Sequence, residues 1–258
     1  MRTHRRKSLT LEQLISGGSV HPKFAAILQE FVEQKANVII SGATGAGKTT
    51  FLNAMLQLVP QNERILVIEE SAELRPAHPH VIHLQIRRAN VQGAGEVSMS
   101  ELVRAAMRMR PDRIVLGECR GSEVRDVLSA LNTGHEGGWA TIHANSAADV
   151  PARLIALGAL AGMHEEAVAA QAVSALDAVV HIRRRDGIRY VSEIGVLQRV
   201  HGELQCREAW RLADSEIGGG TSERKIPAHQ QLQKSSVRNL QVLELPAAAQ
   251  LSLKFGVS

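Results

Sequence analysis

The sequence predicts an α/β protein with a mostly parallel central sheet covered by helices on both faces. Two observations carry that prediction. Short apolar runs recur along most of the chain and alternate with segments of helical period, the order that builds parallel sheets from crossover units. One such run, Asn37-Val38-Ile39-Ile40-Ser41, is joined by a loop of three glycines to a helical pattern that begins Phe51-Leu52-Asn53-Ala54-Met55-Leu56. Composition agrees. The 258 residues, 44% hydrophobic and 22% charged, suit one large globular domain or two small ones. Only 3% are aromatic, so the core must rest on Ala, Val, Leu and Ile.

The elements follow in order. Residues 1–8 read as an exposed arm, and Thr10-Leu11-Glu12-Gln13 as a helix start with Gln13 returning the capping bond. Gly17-Gly18 stops that helix. His21-Pro22 opens a second, whose Phe24, Ile27, Leu28, Phe31 and Val32 share a face. After the glycine loop its helix runs to about Leu58. Further strands are expected at 64–68, 81–86, 113–117 and 139–142. Between them lie a loop at 87–99, a helix capped by Ser100 with Leu102, Val103, Ala106, Met107 and Met109 on its apolar face, and a helix from Ser122 to Leu131. Helices near 146–161 and 164–176 precede strands near 177–183, 188–198 and 203–210. Past Gly218-Gly219-Gly220 periodicity is lost, and 215–258 reads as a flexible tail.

The net charge of +4 is concentrated in Arg2, Arg5, Arg6 and Lys7. Such a run can meet nucleic acid or an acidic membrane, but it reads first as a solvated arm. Two cysteines, Cys119 and Cys206, form no disulfide framework and suit a reducing compartment. No segment approaches the roughly 18 apolar residues of a membrane span, and the basic N-terminus lacks the apolar stretch of a signal peptide. The expected location is the cytoplasm.

Gly42-Ala43-Thr44-Gly45-Ala46-Gly47-Lys48-Thr49 has the G-x-x-x-x-G-K-[ST] spacing of a phosphate-binding loop, continued by Thr50. Its glycines allow successive N–H groups to turn inward as an anion nest. Strand, loop and helix in that order place a helix N-terminus on the phosphates. Lys48 is positioned to reach the β- and γ-phosphates, and the Thr49 hydroxyl to ligate Mg²⁺. The chain is therefore expected to bind a nucleotide.

A phosphate loop does not distinguish kinase, GTPase, helicase and motor; carboxylates do. One strand ends in Glu69-Glu70, with Glu73 three residues on, and another in Gly117-Glu118-Cys119-Arg120. Strand ends beside the loop are where active groups collect in such sheets, so the carboxylates Glu69, Glu70, Glu73 and Glu118 are together candidates for water activation and Mg²⁺. The second run departs from the usual pattern, with Gly-Glu where an Asp normally ends the apolar stretch. His135 and His143 flank a short strand, and either is a candidate to bond the γ-phosphate and report its loss. His78, His80 and His83 lie close together, but 80 and 83 point to opposite faces of a strand, which argues against zinc. Arginines cluster at 87–88, at Arg104, Arg108 and Arg110, and at Arg113 and Arg120. Arg104 and Arg108 are four apart on one helix face and are carried as candidates, with one or two of these arginines expected to stabilise phosphoryl charge as fingers and which ones left open.

With these residues laid out, the chain resembles the ATPases of type II and type IV secretion systems. The likeness is strongest to the CpaF/TadA branch that drives Tad (Flp) pilus assembly. It covers about residues 8–210 and rests on four ordered boxes: SGATGAGKTT at 41–50, VIEESAEL at 67–74, RMRPDRIVLGECRG at 108–121 and NTGHEGGWATIHAN at 132–145. The resemblance implies a RecA-like P-loop NTPase over residues 21–214, preceded by a linker remnant at 1–20. It implies ATP hydrolysis with Mg²⁺, Glu73 polarising water, Glu118 holding Mg²⁺ through its water shell, and His143 or His135 sensing the γ-phosphate. Partners implied are further copies in a homohexameric ring and an inner-membrane platform protein, with no direct nucleic acid. The chain would then sit at the inner face of the membrane. Relatives usually read Ile-Glu-Asp where Glu70 stands, and carry an N-terminal domain of which little is expected here. Two other readings stay open: a DNA-translocating or helicase-like RecA motor, and a subunit that binds nucleotide without hydrolysing it.

Overall fold

The computed structural model describes residues 8–92, 94–185, 187–212, 242–245 and 247–256. The basic run at residues 2–7 and residues 213–241, which include the first part of the tail predicted at 215–258, lie outside the described residues.

Helix α1 (Leu11–Ser16) begins at Thr10, whose hydroxyl accepts from the Gln13 N–H while the Gln13 side chain accepts from the Thr10 N–H. Helix α2 (Pro22–Glu33) buries Phe24, Ile27, Leu28, Phe31 and Val32, the face its period defines. Strand β1 (Val38–Gly42) leads through the glycine loop into α3 (Lys48–Leu56). Strands β2 (Ile65–Glu69) and β3 (Val81–Gln85) follow. Helix α4 (Met99–Met107) is capped by Ser98, not Ser100. Only Ser98 has a glutamate three residues on, Glu101, to close a capping box, so it wins the cap.

Then come β4 (Arg113–Cys119), α5 (Val124–Asn132) and β5 (Trp139–Ile142). A 3₁₀ turn precedes α6 (Val150–Leu160), and α7 (Glu165–Ala175) follows. The chain continues with β6 (Ala178–Arg185), β7 (Ile188–Val200), β8 (Glu203–Leu212), β9 (Val242–Glu244) and α8 (Ala248–Phe255).

Among the described residues nine strands form one sheet in the order β3-β2-β4-β5-β1-β6-β7-β8-β9. The first six run parallel and the last three are added antiparallel. It is a mostly parallel mixed sheet. Side chains alternate across it, as a pleat requires. Val38 and Ile40 pack with α1, α2, α3 and α8, whereas Ile39 packs with α4, α5, α6 and α7. Both faces are thus covered, and β1 is buried along its whole length.

Two expectations need correction. Residues 8–20 are more than a linker: Leu11, Leu14 and Val20 are core residues. The predicted tail contains β9, which pairs with β8, and α8, which buries Ala248, Leu251 and Phe255. The Phe255 ring meets Phe31 edge-on at 5.5 Å. Eight residues are too few for periodicity to stand out against the low-complexity stretch before them. No helix among the described residues is long and apolar enough to cross a membrane.

Candidate functional site

The parallel strands all end at one edge of the sheet, and their order decides which loops meet. Along that edge lie the loop after β2 with Glu69, Glu70 and Glu73, the end of β4 with Gly117 and Glu118, His143 after β5, and the glycine loop after β1.

The glycine loop has the geometry of an anion cradle. Gly45 has φ +72° and Gly47 φ +102°, left-handed values that a side chain resists. Gly47 immediately precedes α3, so the positive end of the helix dipole faces the loop. Lys48 is buried, and its Nζ donates to the carbonyls of Gly42 at 2.9 Å and Ala43 at 3.2 Å. It also lies 3.1 Å from His143 Nδ1. An ammonium only donates, so Nδ1 must accept, which leaves the ring proton on Nε2 facing the Glu118 carboxylate. Burial lowers the Lys48 pKa, with Arg120 adding to the effect and Glu118 opposing it. Burial likewise lowers that of His143, helped by Lys48 and Arg120 against Glu118. The ring is therefore neutral at physiological pH and bridges lysine to carboxylate.

Glu69 organises the second loop. Its carboxylate is buried and accepts the N–H groups of Glu73 at 3.1 Å and Leu74 at 2.9 Å. This folds the chain back so that Glu73 accepts from the Thr49 hydroxyl at 3.4 Å. Burial raises the Glu69 pKa, partly offset by those two N–H donors. A Cβ at Gly117 would stand 2.8 Å from Glu69 Cγ. The unusual glycine before Glu118 is thus the space that Glu69 occupies. Glu70 turns outward to Arg88 at 3.1 Å and Arg120 at 3.3 Å, and Arg120 also pairs with Glu118. A cleft of about 430 Å³ opens beside the loop, lined by Thr49, Glu69, Glu73, Gly117, Glu118 and Arg120 among others.

Lys48, Thr49, Glu73, Glu118 and His143 are therefore brought together. Other candidates are not. His135 precedes β5, at the opposite edge of the sheet from His143, and faces the Ala130 carbonyl at 3.3 Å. Arg104 pairs with Asp126 at 3.5 Å across α4 and α5. Arg108 caps the C-terminus of α4, just ahead of the start of β4 and so at the far edge. Arg113 is buried there, bonded to Glu63 at 2.6 Å and to the Val32 carbonyl at 2.8 Å. The arginine that does touch the loop is Arg189 of β7, whose Nε donates to the Gly45 carbonyl at 2.9 Å. It was missed because it lies 144 residues away in sequence, and only the β6–β7 pairing brings it near.

Oxygen donors of the Thr49, Glu73 and Glu118 type suit Mg²⁺, which favours oxygen ligands and retains water. Backbone amides, an ammonium, a hydroxyl and two carboxylates at one sheet edge make a site for phosphoryl chemistry.

Known proteins resemble this chain in sequence and in fold. A family model described as type II/IV secretion system protein matches residues 1–208. A putative conjugal transfer protein of Mycobacterium tuberculosis is 48% identical over 211 residues, 81% of this chain and 60% of that protein. The crystal structure of the VirB11 ATPase from the Brucella suis type IV secretion system, in complex with sulphate, superposes with a TM-score of 0.57 and 29% identity. That match covers 74% of this chain and 57% of the other. The pilus retraction motor PilT with bound ADP superposes with a TM-score of 0.55 and 26% identity, over 70% of this chain and 50% of that one. The chain thus spans about half to three-fifths of the length of these proteins. A match running from the first residue into β8, on a fold shared with a secretion ATPase and a pilus motor, makes this chain a member of the type II/IV secretion system protein family.

Proposed function

We propose that the chain is a RecA-like P-loop ATPase domain that hydrolyses ATP with Mg²⁺ and powers type II/IV secretion, in the manner of Tad/Flp pilus assembly. The observation that carries this reading is the convergence of Lys48, Thr49, Glu73, Glu118 and His143 at one edge of the sheet. Amides of residues 43–50 cradle the phosphates, and Lys48 exchanges its loop carbonyls for phosphate oxygens. Thr49, and Glu118 through a water, would hold Mg²⁺, which when bound would supply positive charge against the phosphoryl oxygens. Glu73, fixed by Glu69, orients and polarises the attacking water. His143 touches both Lys48 and Glu118, so a movement of Lys48 toward phosphate is transmitted to Glu118. Arg104 and Arg108 lie outside this set of residues and would serve only a neighbouring copy in a homohexameric ring. The ring would work at the cytoplasmic face of the membrane against a platform protein.

Lys48→Ala should lower kcat/KM for ATP roughly a hundredfold or more. Glu73→Gln should retain nucleotide affinity and lose turnover by a similar factor. Undiminished ATP turnover in Lys48→Ala overturns the site assignment. The conjugal-transfer name of the mycobacterial relative favours a second reading, a DNA-driven motor. ATP turnover stimulated by DNA at physiological salt would support it over the secretion reading.

A further inference from the structure

The β6–β7 hairpin places two arginines where the secretion-motor reading assigns no role. Gly42 pairs with Ile182, so β6 runs past the start of the glycine loop and carries Arg184 two residues farther. The register sets Arg184 directly opposite Arg189 of β7. Directly opposed residues of an antiparallel pair share a face, and Arg189 fixes which face it is. Its Nε donates to the Gly45 carbonyl at 2.9 Å, and its Cδ lies 2.9 Å from where a Cβ on Gly47 would stand. The side chain therefore lies across both left-handed glycines of the loop. A larger residue at 47 would collide with it as well as strain the backbone.

Like charges directly opposed on neighbouring strands destabilise the pairing. Both arginines are exposed, and neither is ion-paired with another of the described residues. An anion between loop and hairpin would relieve that repulsion. We propose that Arg184 and Arg189 form the outer wall of the phosphate loop, taking the negative charge of a nucleoside polyphosphate. Arg189 is also a positioning residue that holds Gly45 and Gly47 in their cradle conformation. Nucleotide charge is thereby felt by the antiparallel half of the sheet, which the loop itself does not join. This inference rests on residues 42–49 binding nucleotide.

The test is ADP titration of the full chain at several salt concentrations, with unfolding measured on the same samples. Arg189→Ala should weaken ADP binding about ten- to a hundredfold and flatten its salt dependence. Arg189→Lys should keep the salt dependence while recovering only part of the affinity, because an ammonium lacks the guanidinium fork. Arg184→Ala should weaken ADP binding yet raise the melting temperature of the ligand-free chain by removing the like-charge pair. A merely structural arginine would give the opposite sign of that shift and no change in salt dependence. Wild-type affinity and salt dependence in Arg189→Ala overturn the wall while leaving the phosphate loop intact. Failure of the wild-type chain to bind ADP overturns both.

Discussion

Gly117 and Glu69 show how one residue constrains another that the sequence does not place beside it. Glu69 holds the turn that presents Glu73, and it can do so only because position 117 has no side chain. The close approach is at Cγ, the methylene that carries a carboxylate tied down by two N–H groups, so Glu69 cannot swing clear. Gly117→Ala should therefore cost about 1–3 kcal/mol of stability, as overpacked sites do. It should also lower ATP turnover, because Glu73 loses its support. Urea unfolding and steady-state kinetics check this, and a variant normal in both would refute the pairing. The apolar run and its Glu118 were legible in the sequence. The reason for the glycine was not, because β2 and β4 become neighbours only when the sheet forms.

At the scale of elements, the chain reads well where period is strong and poorly where it is short. The capping box at Thr10, the apolar face of α2 and the strand–loop–helix unit at 38–56 all form as their patterns predict. Helix α8 does not announce itself, yet it closes the face built by α1, α2 and α3. Phe255 reaches Phe31, and Lys254 pairs with Asp177, whose other oxygen accepts the Asn37 N–H. The C-terminal element thereby buttresses the start of β1. Phe255→Ala should destabilise the chain by about 3 kcal/mol, with cavity formation adding to lost burial. Thermal unfolding would detect this as a clear drop in midpoint, and an unchanged midpoint would return the segment to a tail.

For the whole molecule, His181 fastens β6, the last of the parallel strands, to β1 and to the segment after β5. It is buried on β6, lies 2.8 Å from the Ser41 hydroxyl through Nδ1, and has a backbone bond with Asn145 beyond His143. Burial, with help from Arg183, pushes its pKa down from 6.5 to about 4. The folded state therefore favours neutral imidazole, and the unfolded chain binds the extra proton first. The stability this group contributes is complete above pH 6.5 and is lost as pH falls toward 4. A shift of that size corresponds to about 3 kcal/mol. Denaturant midpoints measured between pH 7 and pH 4 should fall more steeply for the wild-type chain than for His181→Gln. Parallel slopes would show that His181 carries no such linkage.

The sequence by itself determined the elements that follow local rules: capping boxes, apolar periods, and the glycine spacing that commits residues 42–49 to an anion cradle. It also supplied the carboxylates at strand ends and left two histidines, His135 and His143, as equal candidates. Only the tertiary structure decided which of these meet. The order β2-β4-β5-β1 carries Glu73, Glu118 and His143 to Lys48, sets His135 and Arg108 at the far edge, and brings Arg189 onto the loop from the antiparallel half. The physical reason is range. Backbone propensity and capping act over a few residues, whereas strand order and register are fixed by burying both faces of one sheet at once.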